Sequence, residues 1–507
     1  MRSPLTRWPL SYLPAAIAAA AVLSPVAVLV RLAWGTDPML GGQAWDIAAN
    51  SVLLLLATVA GAVLVGVPLA LLTSYVRMPA ARLWLVLLAA PLAIPSYIGA
   101  FTYFAAFGPG GELAAWLGLA TPTVRGLPGA ALVMTLYTYP FVLLSTRAAL
   151  RQLDAQVVDA ARSLGLSLAG ALWRVVLPRA RSGIAAGALL VALYTLSDFA
   201  TPAILQVDTF TRVIFVEYNA FGLGRAALLS LQLLALVGVV LALEACVGTE
   251  REGAGRALVL TPGRGRAALL QLAPAVVAAA ALGLPLAVLG AWMVRAGGGD
   301  LDPELLWNSA LPSLLAALAA VLVALPVAWA ATCGRLGRLL ERLATLGFGI
   351  PGIVLGTALV YVGLQVPVLY QTLALLVVAY TLRFLPLAVG AVRNAMARVE
   401  GNVVGAARTL GATPGEAFRR VALPLIAPGM VAGAALVFLE AMRELPATLL
   451  LRPTGLETLA TELWQVYEAG RFGEAALPGL LLVLVSAAAL VLVLGRERLV
   501  GDRGGVT

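Results

Sequence analysis

Apolar residues run through this chain in long blocks, interrupted at intervals by short clusters of arginine, glycine and proline. A helix needs roughly 17–25 apolar residues to cross about 30 Å of hydrocarbon, and the blocks match that length. In the first half they are Tyr12–Val30, Ser51–Leu72, Leu83–Phe104, Leu127–Ser145, Gly183–Leu205 and Ala226–Val247. In the second they are Ala267–Val294, Ser309–Thr332, Leu343–Leu364, Tyr370–Val392, Gly429–Leu451 and Ala475–Leu494. The pattern predicts an all-α polytopic membrane protein of about twelve spans.

Composition agrees: 61% of the 507 residues are hydrophobic, 12% are charged, and the mean hydropathy is +0.96. The first block follows Arg2 and Arg7 but exceeds the 7–15-residue apolar core of a signal peptide, so it reads as an uncleaved anchor. Every one of the 34 basic residues is arginine, and their distribution sets the orientation. With both termini inside, arginines on inner segments outnumber those on the outer loops (Arg125, Arg212, Arg225, Arg295, Arg452 and Arg471) by about four to one. The net charge of +9 is then a topology signal, helped by anionic lipid at the inner face, and needs no nucleic-acid partner. Cys246 and Cys333 fall at inner span ends, where small apolar packing is a better account than a disulfide.

The chain repeats itself. "AARSLG" from Ala160 and "AARTLG" from Ala406 stand 246 positions apart (406 − 160), and each leads at the same distance to Leu-Pro, at Pro178 and Pro424. The same displacement pairs Arg174 with Arg420, Pro140 with Pro386, Arg147 with Arg393 and Asp198 with Glu444. Upstream, with small shifts, Asn50-Ser51 pairs with Asn308-Ser309, Pro68 with Pro326, and Ile94-Pro95 with Ile350-Pro351. Six spans per copy is an even number, so the copies enter the membrane alike and are related by an axis along its normal. The expected division is 1–247, a Gly- and charge-rich inner linker at 248–266, and 267–507.

The repeated phrase lies in inner loops, 156–182 and 402–428. Val157, Ala160, Ala161 and Leu164 recur at helical spacing, giving a short helix with a small apolar face. Gly165 and Gly411 stand where a left-handed turn would stop it. A second amphipathic stretch follows each, and the expected result is a rigid bend pointing inward.

At these residues the chain resembles the permease subunits of ATP-binding-cassette importers, whose inner loop reads Glu-Ala-Ala, three residues, Gly, then Leu-Pro. The resemblance covers nearly the whole chain and implies two pseudo-symmetric six-helix halves of the type I importer kind. It further implies a coupling helix in each half, docked on one of two copies of an ATPase subunit. Carried over, Asp159, Ala160, Ala161, Arg162 and Gly165 form one coupling element, and Ala406, Ala407, Arg408 and Gly411 the other. The family's Glu is replaced by Asp159 and Gly405, so the two docking contacts are expected to be unequal.

The chain has no energy source of its own. A phosphate-binding Walker loop needs a lysine, and there is none. The glycines of "FGLGRAA" lie in an outer loop without a strand-turn-helix context. Histidine is also absent, which removes the commonest general base and metal ligand. No catalysis and no cofactor are expected in this chain, with ATP and Mg on the partner ATPase. Its own work would be alternating access by rocking helices, with Pro68, Pro95, Pro140, Pro326, Pro351 and Pro386 as kinks.

Ionisable residues inside spans are costly and mark functional sites. They are Asp198, Glu244, Arg383, Glu440, Arg443 and Glu444. Glu244 lies near an inner boundary and snorkels. The symmetric carboxylates Asp198 and Glu444, with Glu440 and Arg443, are the candidate translocation pathway; alternatively Glu440, Arg443 and Glu444 pair with one another or with Arg383.

"IPSYIGAFTYFAAFGPGG" from Ile94, "LSDFATPAIL" from Leu196 and "RELPATLLLRPTGLETLATELW" from Arg443 resemble the iron(III) branch of fused, double-length permeases. That branch is related to permeases for thiamine, phosphonates and polyamines. The resemblance implies a periplasmic ferric-binding protein docking on outer loops around Asp208–Arg225 and Arg452–Glu474, and location in a bacterial inner membrane. Carboxylates and tyrosines such as Tyr97, Tyr103 and Tyr194 would offer ferric ion hard oxygen donors. The competing class is a secondary transporter driven by an ion gradient, which also shows about twelve spans in two halves.

Overall fold

The structure is a computed structural model and describes residues 12–36, 42–245, 258–296, 302–399 and 401–501. Arg2, Arg7, Arg251, Arg256, Arg503, Cys246 and the part of the expected linker up to residue 257 lie outside the described residues, as does the side chain of Glu244. Among the described residues the chain is helical, and its one strand-like pairing is an isolated bridge between Val76 and Leu260.

Among the described residues, eight helices are long and apolar enough to cross a membrane singly: Tyr12–Ala33, Gln43–Tyr75, Gly126–Leu150, Leu223–Leu243, Gly265–Arg295, Pro303–Thr332, Leu373–Ala397 and Gly415–Met442. Two bent pairs raise the number to 10: Ala81–Ala93 with Ser96–Ala106, at 92°, and Leu168–Arg179 with Arg181–Ser197, at 65°. Shorter apolar helices, Gly352–Gln365 and Phe472–Ala488, stand where the ninth and twelfth spans are expected.

The difference from twelve plain rods has a physical cause. The third and ninth spans break at Ile94-Pro95 and Ile350-Pro351, where all four residues are extended. A proline drives the residue before it out of the helical region and then serves as the start of the next helix. The fifth span stops at Ser197, turns at Asp198 and resumes as Ala200–Ile204; the eleventh stops at Met442 and resumes as Pro446–Leu451. Pro68, Pro140, Pro326 and Pro386 lie inside helices that continue through them.

Each copy lends its first span to the other. Tyr12–Ala33 packs on Pro303–Thr332 and Arg335–Thr345 of the second half, and the Tyr12 hydroxyl donates to the Cys333 carbonyl at 3.2 Å. Reciprocally, the Gly265–Arg295 helix lies on the first half. There the Trp84 indole donates to Gln271 (3.1 Å), the Tyr103 hydroxyl to the Ala280 carbonyl (2.9 Å) and the Trp292 indole to Glu112 (2.7 Å). Both apolar cores therefore contain residues of both halves, Leu29 with Ala316 and Tyr380 in one, Phe101 with Leu289 and Trp292 in the other. Where the chain re-enters the described region it is pinned to the first half, with Leu260 N–H donating to the Tyr75 carbonyl at 2.6 Å.

Small residues set the spacing inside each half. A Cβ on Gly187 would lie 2.6 Å from Cα of Val142, and one on Gly433, its counterpart, 3.2 Å from Cα of Ala388. Membrane helices gain little from hydrophobicity against one another, so this close approach and its dispersion contacts hold the pairs together. The repeated Asn-Ser phrase also finds its reason. Ser51 Oγ accepts from the Phe210 N–H (3.0 Å) and Ser309 Oγ from the Leu459 N–H (2.8 Å), so each serine fixes the start of a short helix, Phe210–Asn219 or Leu459–Glu468.

Candidate translocation cavity and coupling elements

Both copies of the repeated phrase fold alike. Ala155–Ser163 and Gly401–Thr409 are helices, and each ends in a glycine with φ +93°, Gly165 and Gly411. Leu166 N–H returns to the Ala161 carbonyl (3.2 Å) and Ala412 N–H to the Ala407 carbonyl (3.1 Å), the six-to-one bond of a left-handed helix stop. A hydroxyl then caps the next helix: Ser167 Oγ accepts from Gly170 N–H at 3.1 Å, while Thr413 and Glu416 cap each other's backbone reciprocally. Each second helix carries a π-helical turn, Leu172–Val176 or Phe418–Ala422.

Of the apolar face expected on the first element, Ala160 and Leu164 are exposed, Val157 half-buried and Ala161 turned inward. Ala155, Val158 and Ala161 turn inward, because they follow one side of the helix, and Val157 is only half-buried. Asp159, Ala160, Arg162 and Ala406 are exposed, Ala407 and Arg408 half-buried. Leu164 and Leu410, the residues before the two glycines, are 86% and 88% exposed. The elements also differ from each other. The first bends by 65° after Arg179, whereas Gly415–Met442 continues through the corresponding place.

Three of the four breaks, at Pro95, Asp198 and Glu444, line a cavity of about 150 Å³ whose wall includes Ser96, Asp198, Arg383, Glu440, Arg443 and Glu444, and the fourth stands beside that wall, with Gly352 against Arg383 and Glu444. Backbone can leave helical form within a membrane only where protein or a cavity satisfies it, and the two symmetric carboxylates do that work. Asp198 Oδ1 accepts from the N–H groups of Ala200 (3.1 Å) and Thr201 (3.3 Å); Oδ2 accepts from Ser96 Oγ (2.7 Å) and Thr201 Oγ1 (2.6 Å). Four donors fill the lone pairs of a carboxylate. Glu444 Oε1 likewise accepts from the Ala447 N–H at 3.1 Å and faces the Arg383 guanidinium at 3.4 Å. Each carboxylate thus caps the short helix that resumes its span.

The other ion pair, between Glu440 and Arg443, has Arg443 Nε on Glu440 Oε2 at 3.1 Å and a second contact between Nη2 and Oε1. The pairing alternative read from helical spacing is therefore how these charges are arranged. Glu444 turns to Arg383, and Glu440 to Arg443. The tyrosine hydroxyls are engaged as well, Tyr194 on Ser96 Oγ (3.1 Å), Tyr97 on the Arg443 carbonyl (3.4 Å) and Tyr103 on Ala280. Among the described residues no group of three or more acidic or cysteine side chains is placed to hold a metal ion.

Sequence reasoning overlooked Ser96 and Thr201. The signal was present in the repeat. Ser96 stands where the second half has Gly352 (352 − 96 = 256, the offset of the Ile-Pro pairs), and Tyr194 stands where it has Glu440.

Comparison with known proteins follows the same two-fold division. Residues 47–245 and 328–500 match the family described as binding-protein-dependent transport system inner membrane component. The chain is 31% identical over 458 residues to the Fe(3+)-transport system permease protein FbpB 2 of Haemophilus influenzae, covering 87% of this chain and 88% of that one. It is 27% identical to a probable ABC transporter permease of Sinorhizobium fredii, covering 89% and 87%. A probable molybdenum ABC transporter permease of Haloferax volcanii is 33% identical across 40% of this chain and 75% of its own length. The family match thus falls once on each side of the pseudo-symmetry that the paired breaks display, and the chain belongs to the family of binding-protein-dependent transport-system inner-membrane components.

Proposed function

We propose that this chain is a two-half permease of an ATP-driven importer, with halves 1–247 and 267–507 joined by the linker 248–266, and that its cargo is ferric ion. The observation that carries the importer reading is the pair of like-built bends, each presenting a nearly bare leucine, Leu164 or Leu410, beside a glycine in the left-handed region. An apolar side chain held out by a rigid turn is suited to a pocket on another protein. Two such elements imply two ATPase copies, which supply ATP and Mg; no cofactor is assigned to this chain. Coupling residues are Asp159, Ala160, Ala161, Arg162, Gly165, Ala406, Ala407, Arg408 and Gly411. Both termini and both coupling elements face the cytoplasm of a bacterial inner membrane, as the arginine distribution favours.

A periplasmic binding protein would deliver cargo on the opposite face, over the helices Phe210–Asn219 and Leu459–Glu468. The ferric assignment is supported by the Haemophilus influenzae relative's name and by the cavity's charge: Asp198, Glu440 and Glu444 against Arg383 and Arg443 leave one negative charge (3 − 2). An oxyanion cargo is the second reading, favoured by the same two guanidiniums and by the half-length molybdenum relative.

Two measurements test the proposal. Recovery of the chain without an ATPase after mild extraction, together with uptake unaffected by Ala160→Arg plus Ala406→Arg, would reject the importer. Uptake of ferric ion against molybdate in proteoliposomes carrying the assembled transporter decides the cargo.

A further inference from the structure

The cavity's two ion pairs are built differently. Arg383 and Glu444 are 15% and 5% exposed in their side chains and lie against Gly352. Arg443 and Glu440 are 22% and 32% exposed and line the open space. Separating the more deeply buried pair would strand charges away from water, whereas a pair that is about a quarter to a third solvated can exchange partners at smaller cost.

Arg443 also reaches across the pseudo-symmetry. Its Nη1 donates to the Leu92 carbonyl at 2.9 Å, just ahead of the Ile94-Pro95 break, and its own carbonyl accepts from the Tyr97 hydroxyl at 3.4 Å, just past it. One residue of the second half thus straddles the break of a span in the first. The counterpart of Arg443 is Ser197 (443 − 246 = 197), which carries no guanidinium fork with which to bridge. Only one of the two equivalent corners is clasped.

The clasp has a direction. Tyr75 at the end of the second span bonds the Leu150 carbonyl at the end of the fourth at 3.3 Å, so the turn into Ala81–Ala93 lies at the coupling-element end of the bundle. Leu92 terminates the segment that enters from that end, and Arg443 terminates the segment Leu423–Met442, which enters from the same end. The bond between Arg443 and Leu92 thus joins, at the cavity wall, two segments that both enter from the coupling-element end.

We propose that Arg443 is an inter-half latch, aimed by Glu440, whose release from Leu92 and Tyr97 opens the cavity toward the coupling-element end, while Asp198 and Glu444 remain static helix caps. The latch is inferred from geometry alone; its role in moving cargo rests on the transport reading above. Glu440 is a positioning residue here. Its two oxygens hold the guanidinium edge, leaving Nη1 turned to the carbonyl.

The test uses the full transporter in inverted membrane vesicles, with Cys246 and Cys333 replaced by serine and a thiol introduced by Ser197→Cys on the cavity wall. A charged, impermeant thiol reagent is applied from the coupling-element side. Losing a charge-assisted bond should raise the labelling rate roughly tenfold in Arg443→Gln, with less change in Tyr97→Phe and partial return toward the parent in Arg443→Lys. Glu440→Gln should act in the same direction as Arg443→Gln. The thermal midpoints should stay near the parent's, which separates release of a latch from general loosening. Labelling within about twofold of the parent in both Arg443→Gln and Glu440→Gln would overturn the latch; should Arg443→Gln not assemble, Tyr97→Phe and Glu440→Gln are read by the same criterion. Labelling requires no ATPase, so its outcome is separable from the partner-recovery experiment that tests the importer reading.

Discussion

Gly352 and Arg383 share one volume: the Cβ that Gly352 lacks would overlap both the Arg383 guanidinium and the Glu444 carboxylate. The first half solves the same problem with Ser96, which fills the space and donates its hydroxyl to Asp198. A hydroxyl is short, so its helix start can carry a side chain. A guanidinium is broad, and its helix start cannot.

Gly352→Ala should therefore push Arg383 off Glu444 and cost about 2–4 kcal/mol, the range of overpacking combined with a disturbed buried pair. Ser96→Ala at the corresponding place removes one bond of four to Asp198 and should cost about 1 kcal/mol. Thermal unfolding of the two purified variants in one detergent checks the order. Equal effects would contradict the asymmetry.

The carboxylates themselves should separate by partner. Glu444→Gln leaves the Arg383 guanidinium facing a neutral group, a loss of about 3–5 kcal/mol. Asp198→Asn keeps one acceptor oxygen for hydroxyls that can rotate, and should lose about 1–3 kcal/mol. Uptake scored beside stability tells whether either group does more than cap. Normal uptake by a folded Asp198→Asn protein would remove Asp198 from the pathway.

The repeat, the count of apolar blocks and the glycine-stopped bends were readable because each rests on local chemistry: hydrophobic length, matched spacing, and a glycine where φ must be positive. Pro95 and Pro351 were readable as disturbances but indistinguishable from Pro68 or Pro140, since a proline's effect depends on whether neighbours satisfy the freed backbone. Asp198 and Glu444 were legible as a symmetric pair, yet capping and cargo binding ask for the same residue type. The capping became visible only with the placement of Ser96 and Thr201 around Asp198 and of Ala447 and Arg383 around Glu444, partners set by tertiary contact. The inward-packed side of Ala155–Ser163, with Ala161 on it, was not legible for a related reason. Helical spacing places Val157, Ala160, Ala161 and Leu164 near one another, but only packing tells which side meets the protein.

Gly165→Ala and Gly411→Ala should each cost about 1–2 kcal/mol locally, because an L-residue with a Cβ resists φ near +93°. Nothing lies within 4 Å of the missing Cβ at either place, so the cost is conformational rather than steric crowding. Hydrogen exchange should quicken at 161–170 or 407–416 and stay unchanged in the spans. Uniform quickening would show that the bends are not independent of the bundle.

The final prediction concerns the unequal pair. Leu164 and Leu410 are about equally bare, but the first element carries Asp159 and Trp173 where the second carries Gly405 and Arg419 (159 + 246 = 405; 173 + 246 = 419). If each leucine enters a pocket on an ATPase, burying it contributes about 1.5–3 kcal/mol, and Leu→Asp at either place should weaken association by more than tenfold. The two variants should not weaken it alike. An indole that is 73% exposed in the isolated chain gives the first element additional area to bury, and Arg419 gives the second a charge whose contribution salt screens. Association measured at low and high ionic strength should then show Leu164→Asp losing a salt-insensitive contact while the first element's remaining attachment through Trp173 persists. With Leu410→Asp, the attachment left at the second element should fade as salt rises. Identical salt profiles for the two variants would mean that the differing flanks do not touch the ATPase at all.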